Sequence, residues 1–110
     1  MGSLRLKNAA INERSTSYVR ISYEDREGVA TSPTALRYRI DCMTTGTEIL
    51  GWTSVTPQPV NEIVITSDQN RIVNDQNPEE VRQMTVEATG ADGPVVEVQR
   101  WRVENLLGTT

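Results

Sequence analysis

The side chains that could do chemistry in this chain are carboxylates, arginines and a single thiol, for there is no histidine. Histidine is the commonest general base near neutral pH. Its absence removes Ser–His–Asp and Cys–His nucleophile pairs and every histidine-bearing zinc site. The lone cysteine, Cys42, cannot form a disulfide within the domain. Its place on the inward parity of an alternating segment marks it as a small core residue rather than a nucleophile. The seven glycines stand singly and none builds a phosphate-cradling loop. The neighbours Glu24-Asp25 and Glu79-Glu80 have the chemistry of a glycosidase dyad, but both fall on expected turns, where solvent keeps the two groups ionised. No catalytic residue, no cofactor and no enzyme activity are expected.

The richest run of oxygen ligands is Asp68-Gln69-Asn70 followed by Asn74-Asp75-Gln76-Asn77. Its spacing suits a calcium loop, yet it lacks the glycine of the sharp turn and the distal bidentate glutamate of an EF-hand. Asp and Asn also cap turns by bonding to their own backbone, and that is the role expected of them here.

Arginine outnumbers lysine ten to one, Lys7 being the exception, and the formal net charge is −4. With no basic run, the chain lacks the cationic footprint of a nucleic-acid binder. Arginine's planar fork suits paired contacts at protein interfaces, which makes assembly the weak suggestion of this composition. No stretch is apolar enough for a membrane span or a signal peptide, so the chain is expected to be made and used in the cytoplasm, or released by lysis.

Those side chains must be positioned by strands. Val, Ile and Thr dominate short alternating segments spaced roughly ten residues apart, the pattern of a sandwich. The segments are Ser3 to Lys7, Ser17 to Glu24, Leu36 to Cys42, Glu48 to Val55, Asn61 to Thr66, Arg82 to Ala88 and Val95 to Val103. Val19, Ile21 and Tyr23 share one face of the second; Leu36, Tyr38, Ile40 and Cys42 share one face of the third. Ile72 is expected to plug one end of the core. Asn77-Pro78-Glu79-Glu80 has the cap, proline and acids of a helix start, about one turn long. Thr89 to Gly93 reads as a hairpin loop. The last segment changes parity between Val96-Val98 and Trp101-Val103, which a β-bulge near Gln99-Arg100 would reconcile. A chain of 110 residues can bury a sufficient core without staples. The expectation is one all-β domain over residues 1–110. It is an immunoglobulin-like (fibronectin-III-like) antiparallel sandwich of about seven strands, with an N-terminal strand or arm at 1–8 and a tail at 104–110. A small jelly roll is the alternative.

In that arrangement the third, sixth and seventh segments are neighbours. Their outward residues form a charged face of Arg37, Arg39 and Asp41, then Thr85 and Glu87, then Arg100 and Arg102 beyond the bulge. The plain reading is cross-strand ion pairing, with Glu87 between flanking arginines. The functional reading is a docking face for an acidic patch on a partner. Of Trp52 and Trp101, one reads as core and one as an interface anchor.

The chain resembles a class of small tailed-bacteriophage proteins with an immunoglobulin-like fold. The resemblance is carried by Leu4-Arg5-Leu6-Lys7-Asn8, Ser17 to Asp25, Glu62 to Val73 and Arg82 to Ala88, which are strand–turn patterns spread over most of the sequence. It implies a non-enzymatic virion component: a capsid decoration or cement protein, or a neck or tail accessory subunit, made in the host cytoplasm. Its partners would be other virion proteins in a multi-copy assembly, with neither nucleic acid nor membrane. No functional residue comes with the resemblance. A carbohydrate- or surface-binding adhesion module is the alternative function.

Overall fold

Alternation of period two runs through this sequence wherever β-branched residues concentrate, and the chain answers with strands. The computed structural model describes residues 3–7, 11–12, 16–74, 76–91 and 93–105, the first two stretches as backbone. Among the described residues there is no helix. Eight strands occur: β1 Ser3–Lys7, β2 Ile11–Asn12, β3 Ser17–Glu24, β4 Ala35–Cys42, β5 Thr47–Val55, β6 Val60–Ile65, β7 Glu79–Gly90 and β8 Gly93–Glu104. They form a three-stranded sheet, β1-β3-β6, and a five-stranded sheet, β2-β8-β7-β4-β5. All pairings are antiparallel except that of the two-residue β2 with β8.

The core lies between the sheets. Val19, Ile21 and Tyr23 of β3 and Ile63 and Ile65 of β6 face Leu36, Ile40, Met84, Val86, Ala88, Trp101 and Val103 of the larger sheet. Ile72 closes one end, as its place after the sixth strand suggests. Burying each large aliphatic contributes about 1.5–3 kcal/mol, so this cluster is the main source of stability. Pro57 and Pro59 lie between β5 and β6, where neither interrupts a ladder.

Three expectations are corrected. Asn77-Pro78-Glu79-Glu80 starts no helix: β7 begins at Glu79, opposite Glu104. The segment goes extended because Glu80 turns into the protein, where it is fully buried. The last strand has no bulge. Its register with β7 is unbroken from Glu79↔Glu104 to Gly90↔Gly93, so Val96, Val98, Arg100 and Arg102 share one face. Burial of Trp101 and Val103 fixes that parity, and Val96 and Val98 stand outward as strand formers, 54% and 49% exposed. The irregularity sits instead in β5. Its pairing with β4 shifts between Tyr38 and Ile40 and again between Ile40 and Asp41. That is why the adjacent Ile49 and Leu50 both pack against the core, which plain alternation forbids. Finally, no tail starts at 104: Glu104 is in β8, and Asn105 is buried, its amide bonded to Pro78 and its side chain to Asn77. Residues 106–110 lie outside the described residues, as do 1, 2 and 8 of the expected N-terminal arm.

Candidate functional site

The face that the sequence singles out is the outer surface of the five-stranded sheet. β-strand alternation and the two registers with β7 set Arg37 opposite Glu87, Arg39 opposite Thr85 and Asp41 opposite Gln83; Val96, Val98 and Arg100 follow on β8. The Arg37 Nε donates to Glu87 Oε1 at 2.8 Å. Arg39 makes a two-pronged contact with Asp41, at 3.0 and 2.9 Å, and reaches Glu48 at 3.6 Å. Hydrogen bonding to Asp41 leads the effects that hold the Arg39 guanidinium above its ordinary pKa. Trp52 of the bulged β5 lies beneath both arginines. The Arg37 guanidinium stands 4.1 Å from the ring centroid and that of Arg39 5.8 Å, distances at which the cation meets the electron-rich ring face.

Toward β8 the face changes character. Glu87 is flanked by Arg37 and Val96, not by two arginines. Arg100 donates to the neutral Gln83 Oε1 at 2.7 Å, and Arg102 reaches Glu79 at 3.7 Å. One half is therefore an ion-paired lattice around a tryptophan, and the other is an open strip of Val96, Val98 and Arg100. The arginines of the lattice are matched by Asp41, Glu48 and Glu87. This is a charge-balanced surface, not the bare cationic one that an acidic patch would require.

The structure brings together Arg37, Arg39 and Trp52, with Arg100 and Arg102 on the same face farther along. Trp101 is elsewhere: it is 4% exposed, and its indole N–H donates to Asn70 Oδ1 at 3.2 Å. Asn70 in turn donates to Ser17 Oγ. Trp101 is thus the core tryptophan and Trp52 the surface one.

Sequence reasoning missed a second constellation, on the inner face of β7. Glu80 and Arg82 are both fully buried, paired at 2.9 Å. Glu80 also accepts the backbone N–H groups of Val73 and Asn74 and the Asn77 side-chain amide. Burial pushes the Glu80 carboxyl up, but these donors and Arg82 outweigh it and hold its pKa below the ordinary value. Arg82 bonds the Arg71 carbonyl and the Cys42 sulfur, while its Nε has no partner among the described residues. The signal was available: extending the Met84-Val86-Ala88 alternation backward by two steps puts Arg82 and then Glu80 inside.

The amide-rich loop closes on itself. Thr66 and Gln69 bond reciprocally, and Asn74 Oδ1 accepts the Gln76 N–H. Among the described residues no group of three His, Cys, Asp or Glu side chains is placed to hold a metal; Asp75 lies outside them. A groove of about 380 Å³ is lined by Glu48, Ile49, Asp68, Arg71, Ile72 and Val73, where like and opposite charges mix without convergence. No helix among the described residues is long and apolar enough to cross a membrane.

No family model matches the chain, and neither a curated protein nor a solved structure is significantly similar to it.

Proposed function

We propose that this chain is a non-enzymatic structural subunit of a tailed-phage virion, a capsid decoration or cement protein or a head–tail neck accessory. It would be made in the host cytoplasm and carried on the particle in many copies. The proposal takes the sandwich to be immunoglobulin-like. Constant-type immunoglobulin domains keep their first, second, fourth and fifth strands in one sheet and their third, sixth and seventh in the other. With the two-residue β2 set aside, β1, β3 and β6 match the first, second and fifth strands and β4, β7 and β8 the third, sixth and seventh. β5, the fourth, departs from that type by lying beside β4, where variable-type domains carry an added strand. The virion setting draws on the strand–turn resemblance.

One observation carries the docking mode: Trp52, 41% exposed, is held flat under Arg37 and Arg39 on a broad sheet face. A rigid aromatic braced by planar cations is the kind of anchor that dominates protein interfaces. The carbohydrate reading fares worse on the same geometry, because the guanidinium of Arg37 covers the ring where a sugar would stack. A glycan array is expected to be flat. Purified protein is expected to co-sediment with phage particles or empty capsids. Trp52→Ala should lower its occupancy at least tenfold while the domain stays folded. Protein that remains wholly in the supernatant sinks the reading.

A further inference from the structure

Among the described residues, no strand pairs with the outer edge of β8 from Val96 to Arg100. Gly90 and Gly93 close a two-residue hairpin loop, with Gly93 at φ +106°, a conformation that suits glycine. Such closing residues exchange both backbone bonds, and every second pair along the ladder repeats this: Ala88–Val95, Val86–Glu97, Met84–Gln99 and Arg82–Trp101. The N–H and C=O of the residues between, Val96, Val98 and Arg100, therefore point away from β7. Among the described residues, only Ile11 and Asn12 pair on that far side, opposite Val103 and Glu104. At the other end Pro94 has no N–H to offer. The opposite edge of the sheet, β5, is broken by its two register shifts, a device that discourages strand addition.

We propose that this edge pairs with the same edge of a second copy, antiparallel, about a two-fold axis through Val98. The argument is self-complementarity. In this register Val98 meets Val98 of the partner subunit, and Val96 meets Arg100 of the partner subunit, in both directions. Every free backbone group then finds a free backbone group. On the inner side Glu97 lies opposite Gln99 of the partner subunit, an amide able to donate to the carboxylate. Neighbouring registers do worse. An axis through Glu97 sets two like charges directly opposite, which destabilises a pair. An axis through Gln99 or Arg100 draws on Arg102, next to the Val103 and Glu104 that β2 pairs, and an axis through Val96 sets Val98 against Pro94. Pro94 and Glu97 thus restrict the edge to one partner geometry. The exposed Val98 side chains would meet across the axis with Val96 of each copy diagonally beside them, an apolar patch on a continuous sheet, so the occupant is this chain rather than an unrelated strand. The contact is shorter than the roughly 1,000 Å² of a stable interface, so it is weak in isolation and gains force where many copies are held side by side.

The test is symmetric cross-linking with sedimentation equilibrium on the whole chain. Under oxidised glutathione Val98→Cys is expected to give disulfide dimers, because Cα atoms of a bonded pair lie about 5.5 Å apart. Val96→Cys alone should not, while a mixture of Val96→Cys and Arg100→Cys should. Cys42 is buried and does not compete. Val98→Pro removes only an outward N–H, and should weaken the self-association expected near millimolar concentration at least tenfold with unchanged circular dichroism. Dimers of Val96→Cys as abundant as those of Val98→Cys, or a wild-type chain that stays monomeric at about 1 mM, overturn the proposal.

Discussion

Strand β7 meets arginine on both of its faces, and the two meetings differ in everything but the chemistry. Inside, Glu80 and Arg82 are fully buried and the carboxylate takes further bonds from Val73, Asn74 and Asn77. Outside, Glu87 meets Arg37 at nearly the same distance, with 28% and 44% of the two side chains exposed. In water the Coulomb gain of such a pair is small and salt screens it; out of water each charge becomes costly unless every partner is present. The inner pair is therefore a structural commitment that ties the segment before β7 to the strand. The outer pair contributes little to folding, which leaves Arg37 and the Trp52 beneath it free to be spent on recognition.

The largest effect that could break this contrast is Glu80→Ala. It strands a buried guanidinium and two backbone amides, and should cost about 3–5 kcal/mol in urea unfolding. Replacing the pair together, Glu80→Leu with Arg82→Met, should recover much of that loss, since the stranded charge goes with it. A single-variant cost below about 1 kcal/mol would mean that the inner site is not closed.

Acid comes next. The folded pKa of Glu80 is lowered, so its stabilisation is fully present above the ordinary glutamate value of about 4.3 and is lost as pH falls through the lower folded value. The wild-type stability curve should therefore fall on acidification in that window, and Glu80→Gln, already weaker at neutral pH, should fall less steeply there. Equal slopes in the two proteins would remove Glu80 from the account.

On the outer face the effects shrink. Trp52→Ala should cost about 1 kcal/mol or less, the scale of an exposed cation–π contact, and on the proposed function its main consequence is in particle binding. Smallest of all, a double-mutant cycle on Arg37→Ala and Glu87→Ala should give a coupling of about 0.2–1 kcal/mol that fades in 1 M salt. A coupling above about 2 kcal/mol would place this pair with the inner one.

Most of the architecture was legible because alternation is a direct report of which side of a strand meets the core. β3, β4 and β6 follow it residue by residue through Val19, Ile21, Ile40, Ile63 and Ile65. Reading failed where a residue's type contradicted its parity. Glu79-Glu80 after Asn-Pro looks like a solvated helix start, yet Glu80 is inside because its partners arrive from Val73, Asn74 and Arg82, none adjacent in sequence. Val96 and Val98 look buried and are not, since an edge strand can carry β-branched residues for their backbone preference alone. The true bulges had one local sign, Gly51 within β5, where a Cβ would press on the Glu48 carboxylate. Of the candidate face, the arginines and their alignment were readable; Glu48, Gln83 and the stacking on Trp52 depended on the shifted register of β5 and on side-chain reach.

Cys42 adds a practical consequence. Its sulfur lies 3.2 Å from an Arg82 nitrogen and 3.7 Å from a Glu80 oxygen, sealed from solvent. A thiol reagent can reach it only when this end of the sandwich opens, so the rate of its modification under native conditions clocks that opening, with one reporter atom and no engineered label.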